Sequence, residues 1–222
     1  MPDVRVVCFD WGGVIIRICR NWREGCERAG LPIHEAAGTP EAVARRRAIN
    51  AVHQVGRMAC EDFFASVAHA SEGLYTPEQI RRIHDAWLIE EYPRIGGVID
   101  RLNATKGITT ALLSNTNASH WARQHAGAGG FGAAARLKVR LASHEMGLAK
   151  PDEAIYHTAR ERFGVPAEQI VFFDDLPENI DAARSAGWRA CLIDPLGDTS
   201  AQIERHLAAL GIDLITAECR DG

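Results

Sequence analysis

Five short apolar runs, separated by helix-length segments, set the strongest limit on what this chain can fold into. They are residues 4–9 (VRVVCF), 108–113 (ITTALL), 137–142 (LKVRLA), 170–173 (IVFF) and 189–193 (RACLI). Most lack strict alternation, the pattern of strands buried on both faces. Segments 94–106, 118–126, 151–163 and 178–187 have the length of crossover helices, and Gly107, Gly164 and Gly187 fall where helix C-caps belong. Strands alternating with helices predict an α/β fold, a doubly wound parallel sheet.

Residues 17–93 break this rhythm. They contain no convincing strand and three or four amphipathic helical patterns, among them 40–55 and 77–91. Thr39-Pro40-Glu41 and Thr76-Pro77-Glu78 are helix starts: a capping hydroxyl, Pro at the first helical position, then an acid. The organisation expected is an α/β core over 1–16 and 94–222, with a small α-helical cap domain inserted over 17–93. A chain of 222 residues can bury such a core and carry the insertion. The Gly/Ala stretch 127–135 reads as a flexible loop, and Trp87 with Ile83 and Ile80 as cap core packing.

Composition removes several function classes. With 46% hydrophobic and 24% charged residues the chain has the make-up of a soluble globular protein. A net charge of −4 supplies no basic field for nucleic acid. No apolar run spans a bilayer, and the N-terminal run is short and enters Asp10 directly, unlike a signal peptide, so a cytoplasmic protein is expected. The cysteines Cys8, Cys19, Cys26, Cys60, Cys191 and Cys219 form no C-x-x-C pair and read as structural.

In an open parallel sheet, ligands bind beyond the carboxyl ends of the strands. Here the first strand ends in Asp10, the second in Ser114-Asn115 and the fourth in Asp174-Asp175, while Lys150 follows the third by a short loop. Each residue alone fits an ordinary loop or cap. Together they fit phosphoryl transfer through an aspartyl-phosphate: a carboxylate nucleophile splits hydrolysis into two easier steps. Mg²⁺ on carboxylate oxygens, with Lys150, neutralises the approaching phosphate. Ser114 and backbone N–H groups can bind phosphate oxygens, and Gly12 and Gly13 let the backbone approach without a Cβ.

The four motifs, FDWGGVI, LLSNTN, GLAKPDEAIY and FFDDLPENIDAARSAG, resemble in order those of the haloacid dehalogenase-like hydrolase superfamily, in its subgroup with a helical cap after the first strand. That resemblance covers almost the whole chain. It implies a Rossmann-like core, with Asp10 as nucleophile and Asp10, the Gly12 carbonyl, Asp174 and Asp175 around Mg²⁺. It further implies that Ser114, Asn115, Lys150 and Gly13 serve the phosphate of a small phosphorylated substrate. SNTNASHW and FFDDLPENI also resemble the sugar-phosphate phosphatases of the subgroup, including the α-D-glucose-1-phosphate phosphatase.

Position 12 departs from the pattern. Most phosphatases of the superfamily carry there an aspartate that protonates the leaving group, and Gly12 cannot move a proton. Three hydrolytic readings stay open: a phosphatase for good leaving groups, a phosphonatase of the DWAG type, or a 2-haloacid dehalogenase. The phosphonatase needs a cap lysine, and the lysines are Lys106, Lys138 and Lys150, none in the cap. A dehalogenase has no use for the acidic pair. Outside catalysis, a binding protein that kept the fold and lost the chemistry is the alternative.

In the cap, His53, Gln54 and Arg57 surround a helix break at Gly56 and are the candidates to face the site. Arg57 would clamp an anionic substrate and His53 would supply the missing proton, or both decorate a solvated helix end. Trp11 either lines the cleft or packs beneath the cap. His120 either hydrogen-bonds near the rim or sits on a helix surface. Asn179 either orients Asp175 or begins the next helix. The run Arg45-Arg46-Arg47 reads as a solvated face.

Overall fold

Val6, Val7, Cys8 and Phe9 are all fully or almost fully buried, because side chains on either face of their strand meet apolar partners. The computed structural model describes residues 3–127 and 129–214. Its strands are β1 (Val6–Phe9), β2 (Ile16–Ile18), β3 (Leu88–Glu91), β4 (Thr109–Ser114), β5 (Val139–Ala142), β6 (Ile170–Asp174) and β7 (Arg189–Leu192). Five of them pair in parallel in the order β5-β4-β1-β6-β7. One face packs Val7, Phe9, Leu112, Val171 and Phe173; the other packs Val6, Cys8, Leu113, Ile170 and Phe172. All five strands expected from the sequence are present.

The chain builds outward from β1 through β4 and β5, then returns to its other side with β6 and β7. The topological switch point therefore lies at the carboxyl end of β1, between β4 and β6. Asp10 stands there. The helices Ile95–Ala104, Glu153–Phe163 and Pro177–Ser185 match three of the expected crossovers. The fourth, over 118–126, is a single turn, Ala118–Trp121, started by the Asn117 side chain accepting from the His120 N–H. Thr199–Ala209 adds a helix that was not anticipated.

Between β2 and β3 lie the helices Trp22–Arg28, Pro40–His53, Cys60–Ala70 and Pro77–Asp85. Thr39 and Thr76 cap two of them as expected, and Gln79 completes a capping box with Thr76. Phe64, Val67, Ile80 and Ile83 form a third apolar cluster, with Trp87 against it. Two expectations fail here. The pattern over 77–91 ends its helix at Asp85, and residues 88–91 become β3, antiparallel to β2. The reason is tertiary: the Cys19 N–H donates to the Trp87 carbonyl and the Tyr92 N–H to the Ile15 carbonyl, extending a ladder that 77–91 alone cannot make.

The Gly/Ala stretch, expected as a flexible loop, carries a helical turn. Gly132–Ala135 form a helical turn with Ala133 and Ala134 fully buried beside Phe131. The Glu91 carboxylate accepts from the Ala133 N–H at 2.6 Å. Cys8, Cys19, Cys26, Cys60 and Cys191 are free thiols, the first three of them buried, while Cys219 lies outside the described residues. Among the described residues no helix is long and apolar enough to cross a membrane.

Candidate active site

Lys150 binds the rim together. Its ammonium, with no side-chain exposure, lies 2.6 Å from Asp174 Oδ2 and 2.9 Å from Asp10 Oδ1. Burial alone would lower its pKa, but the two carboxylates override this and raise it, so the lysine stays charged. Burial likewise pushes Asp10 up to about 7, against the opposing pull of Lys150. Asp10 Oδ1 faces Lys150 without hydrogen-bond geometry and is a buried oxygen with capacity to spare.

Asp174 is the most fully engaged carboxylate. Its Oδ1 accepts from the Leu176 N–H at 2.9 Å and from Asn179 Nδ2 at 3.0 Å; its Oδ2 accepts from Asn179 Nδ2 at 3.0 Å and from Lys150. Asn179 thus orients Asp174, not Asp175 as the sequence spacing suggested, because the first turn of helix Pro177–Ser185 returns it under the strand end. The Asn115 side chain takes a structural task. Its amide donates to the Lys150 carbonyl at 2.7 Å and accepts from the Lys150 N–H at 2.8 Å. Both ends of that side chain position the lysine loop, which leaves the phosphate to the backbone N–H that follows Ser114.

Asp175 lies across the backbone of Gly13. A Cβ on Gly13 would fall 2.4 Å from the Asp175 carboxylate carbon, and Gly13 has φ +81°, so glycine is required on both counts. Asp175 Oδ2 accepts from Arg20 Nη1 at 2.6 Å. Burial raises the Asp175 pKa, with Arg20 opposing. Arg20 was not anticipated; its signal was hidden because β2, which aims it at the rim, was not expected. Asp10, Asp174 and Asp175 each bring an oxygen within 4.8 Å of the others. Hard carboxylate oxygens at this spacing, one of them without a hydrogen bond, suit a hard divalent cation.

A cavity of about 720 Å³ opens above the rim, lined by Gly12, Ser114 and Asn115 below and by the inserted helices above. Gln54 lines it, but His53 and Arg57 do not. His53 is buried, stacked on Phe63 at 4.2 Å with Nε2 3.3 Å from Cys60 Sγ, and burial lowers its pKa to about 4. Its place in the packing of two helices, Pro40–His53 and Cys60–Ala70, turns it away from the cleft. Arg57 is exposed. Trp11 borders the cavity yet is 2% exposed, edge-on to Trp121 and Phe131; packing dominates its role.

The histidines that do reach the cavity are His84 and His120, stacked at 3.8 Å. His120 Nε2 donates to the His84 carbonyl at 2.8 Å, and burial drives its pKa well down. His84 is 8% exposed, and neither ring nitrogen has a hydrogen bond, Nδ1 standing 3.6 Å from Asp85 Oδ1. The stripe Ile80, Ile83, His84 could have revealed it, since a histidine on the apolar face of a helix is held indoors. Nor is the arginine run only solvated: Arg46 and Arg47 line the cavity, while Arg45 pairs with Glu72 outside it.

The family model for haloacid dehalogenase-like hydrolases matches residues 4–187. The chain belongs to that family. Among relatives of this haloacid dehalogenase-like hydrolase, Phosphatase MT3486 of Mycobacterium tuberculosis (strain CDC 1551 / Oshkosh) is 40% identical over 75 residues, 34% of this chain and 35% of that protein. The GMP/IMP nucleotidase YrfG of Escherichia coli (strain K12) is 36% identical over 75 residues, 32% and 34% of the two. These matches span about a third of the relatives' own length. In fold, the chain is similar to the HAD family enzyme bt-2542 of Bacteroides thetaiotaomicron, solved with magnesium and inorganic phosphate: TM-score 0.72, 20% identity, 90% of this chain and 98% of that one. The 2-haloacid dehalogenase of Pseudomonas syringae pv. Tomato DC3000 is similar at TM-score 0.60 and 19% identity, over 93% and 99%.

Proposed function

We propose that this protein is a Mg²⁺-dependent phosphomonoesterase that acts on a small phosphorylated metabolite through an aspartyl-phosphate on Asp10, with residues 17–93 as its cap. The observation that carries this reading is Lys150 Nζ between Asp10 and Asp174, with Asp175 completing the acidic cluster. When all are ionised, three carboxylates against Lys150 and Arg20 leave one net negative charge at the mouth. Bound there by Asp10, the Gly12 carbonyl and Asp175, Mg²⁺ supplies the positive charge that a dianionic phosphate needs. Asp174, both of whose oxygens are already engaged, contributes through Lys150 or a water. Relatives named as phosphatases, and a fold neighbour solved with magnesium and phosphate, support the same reading.

Asp10 attacks phosphorus with a carboxylate oxygen, and the bond to the leaving oxygen breaks. Ser114 and Lys150 hold the phosphoryl oxygens as charge builds on them. The Gly13 N–H, expected to share this task, donates instead to the Ile16 carbonyl at 2.7 Å, and Gly13 serves by leaving room for Asp175. Water then attacks the aspartyl-phosphate phosphorus, releasing phosphate and restoring the Asp10 carboxylate. Without an acid at Gly12, the leaving group departs with most of its developing charge, which favours sugar hemiacetals and other stable leaving groups.

The test is a panel of phosphorylated metabolites, sugar phosphates among them, incubated with Mg²⁺ and the purified protein. Release of phosphate that Asp10→Asn abolishes is expected. Turnover of no member, or turnover that survives Asp10→Asn, would defeat the proposal.

A further inference from the structure

The wall of the large cavity carries Arg20, Arg23, Arg46 and Arg47 and no aspartate or glutamate. Composition does not explain this, since the chain has 29 acidic residues against 25 basic ones. Arg20 is occupied by Asp175. Among the described residues the other three have no carboxylate within ion-pair distance, whereas the neighbouring Arg45, outside the cavity, has Glu72 at 3.0 Å.

Arg46 is the telling member. Its guanidinium lies 4.4 Å over the Trp22 ring, half-buried, and burial lowers its pKa. A partly desolvated cation without a counter-charge is costly, and the planar fork of a guanidinium matches a carboxylate or phosphate in two parallel hydrogen bonds. Trp22, Phe63 and Trp87 in the same wall offer apolar surface for a carbon skeleton. The phosphoryl end of the site, at Gly12 and Ser114, does not account for these arginines, which belong to the helices Trp22–Arg28 and Pro40–His53.

We propose that the cavity takes phosphate monoesters carrying a second anionic group, a carboxylate or a second phosphate, seated on Arg46 with Arg23 and Arg47. The assignment of the phosphoryl end rests on the phosphomonoesterase reading; the second seat can be tested without turnover. The ligands are propylphosphonate, 3-phosphonopropionate and 1,3-propanediphosphonate with their longer homologues, titrated calorimetrically into the full chain with Mg²⁺ present.

The parent should bind a doubly anionic ligand about tenfold more tightly than its singly anionic match, the scale of one charge-assisted hydrogen bond. Whether the carboxylate or the diphosphonate gains more identifies the second group. Arg46→Gln should erase the gain and leave propylphosphonate binding unchanged. Because Arg46→Gln also loses the Trp22 stack, the exposed Arg47→Gln is the second variant, expected to reduce the gain, and Arg45→Gln is the control that keeps it. Equal or undetectable binding of the ligands by the parent, or a gain that survives in both Arg46→Gln and Arg47→Gln, overturns the proposal. Failure of the phosphomonoesterase reading looks different: p-nitrophenyl phosphate is not turned over, while the calorimetric preference and its loss in Arg46→Gln persist.

Discussion

The Ile18 side chain stands where a side chain at position 12 would begin. A Cβ on Gly12 would lie 2.9 Å from Ile18 Cδ1, the far end of a flexible chain. The missing acid is therefore excluded by a movable neighbour, not by backbone. Acid–base assistance is typically worth ~10²–10⁴ in rate, and poor leaving groups need it most. The parent should hydrolyse p-nitrophenyl phosphate or an anomeric sugar phosphate far faster than an alkyl phosphate. Gly12→Asp should narrow that gap, and Gly12→Asp with Ile18→Val should narrow it further. A plot of rate against leaving-group pKa checks this; equal slopes in parent and variants would remove Gly12 as a determinant of substrate range.

Gly13→Ala should be far more harmful than its size implies. The left-handed backbone costs about 1–2 kcal/mol with a Cβ, and the new methyl displaces the Asp175 carboxylate. Chemical denaturation should show the stability loss, and calorimetry the loss of Mg²⁺ binding. Mg²⁺ binding at parental affinity would mean that Asp175 is not a ligand.

Removal of the Asp175 side chain tests the metal assignment directly. Asp175→Ala should abolish the Mg²⁺ titration signal. Asn179→Ala, which removes the amide holding both Asp174 oxygens, should weaken Mg²⁺ measurably but less than Asp175→Ala does, because Asp174 acts on the ion only through Lys150 or a water. If Asn179→Ala leaves the affinity intact, Asp174 does not need that orientation.

His53 sets a pH dependence of stability rather than of catalysis. Burial moves its pKa from 6.5 to about 4 on folding. Between those values the unfolded chain binds a proton that the folded chain refuses, so its contribution falls as pH drops through the window and is fully lost below about 4. His53→Phe keeps a ring on Phe63 and removes the proton site. The Tm deficit of that variant should therefore shrink on acidification, and its leaving-group dependence should equal the parent's. A constant deficit across the window would show that His53 titrates normally.

Much of the site could be read from the residues because parallel sheets gather strand ends on one rim. Asp10, Ser114 and Asp174-Asp175 follow apolar runs that have no choice but to be buried, and Lys150 is carried to them by a short loop. What could not be read was which carboxylate each neighbour serves. Asn179 was free to reach Asp175 or Asp174 until the helix turn fixed its direction, and no spacing tied the Asn115 side chain to the Lys150 backbone.

The sequence by itself determined the five-stranded core, the order of its chemistry along the chain and the absence of an acid at position 12. These rest on local patterns: burial on both faces, caps, and side-chain identity. Only the tertiary structure decided the ribbon of β2 and β3, whose hydrogen bonds join residues some seventy apart, and hence the placement of Arg20 on Asp175. It alone turned His53 into the packing and His84 toward the cavity, because a helix can present either face until its partners choose one. It also gathered Arg23, Arg46 and Arg47 from two helices into one wall. No spacing along the chain encodes that wall; it exists only because the helices pack over the rim.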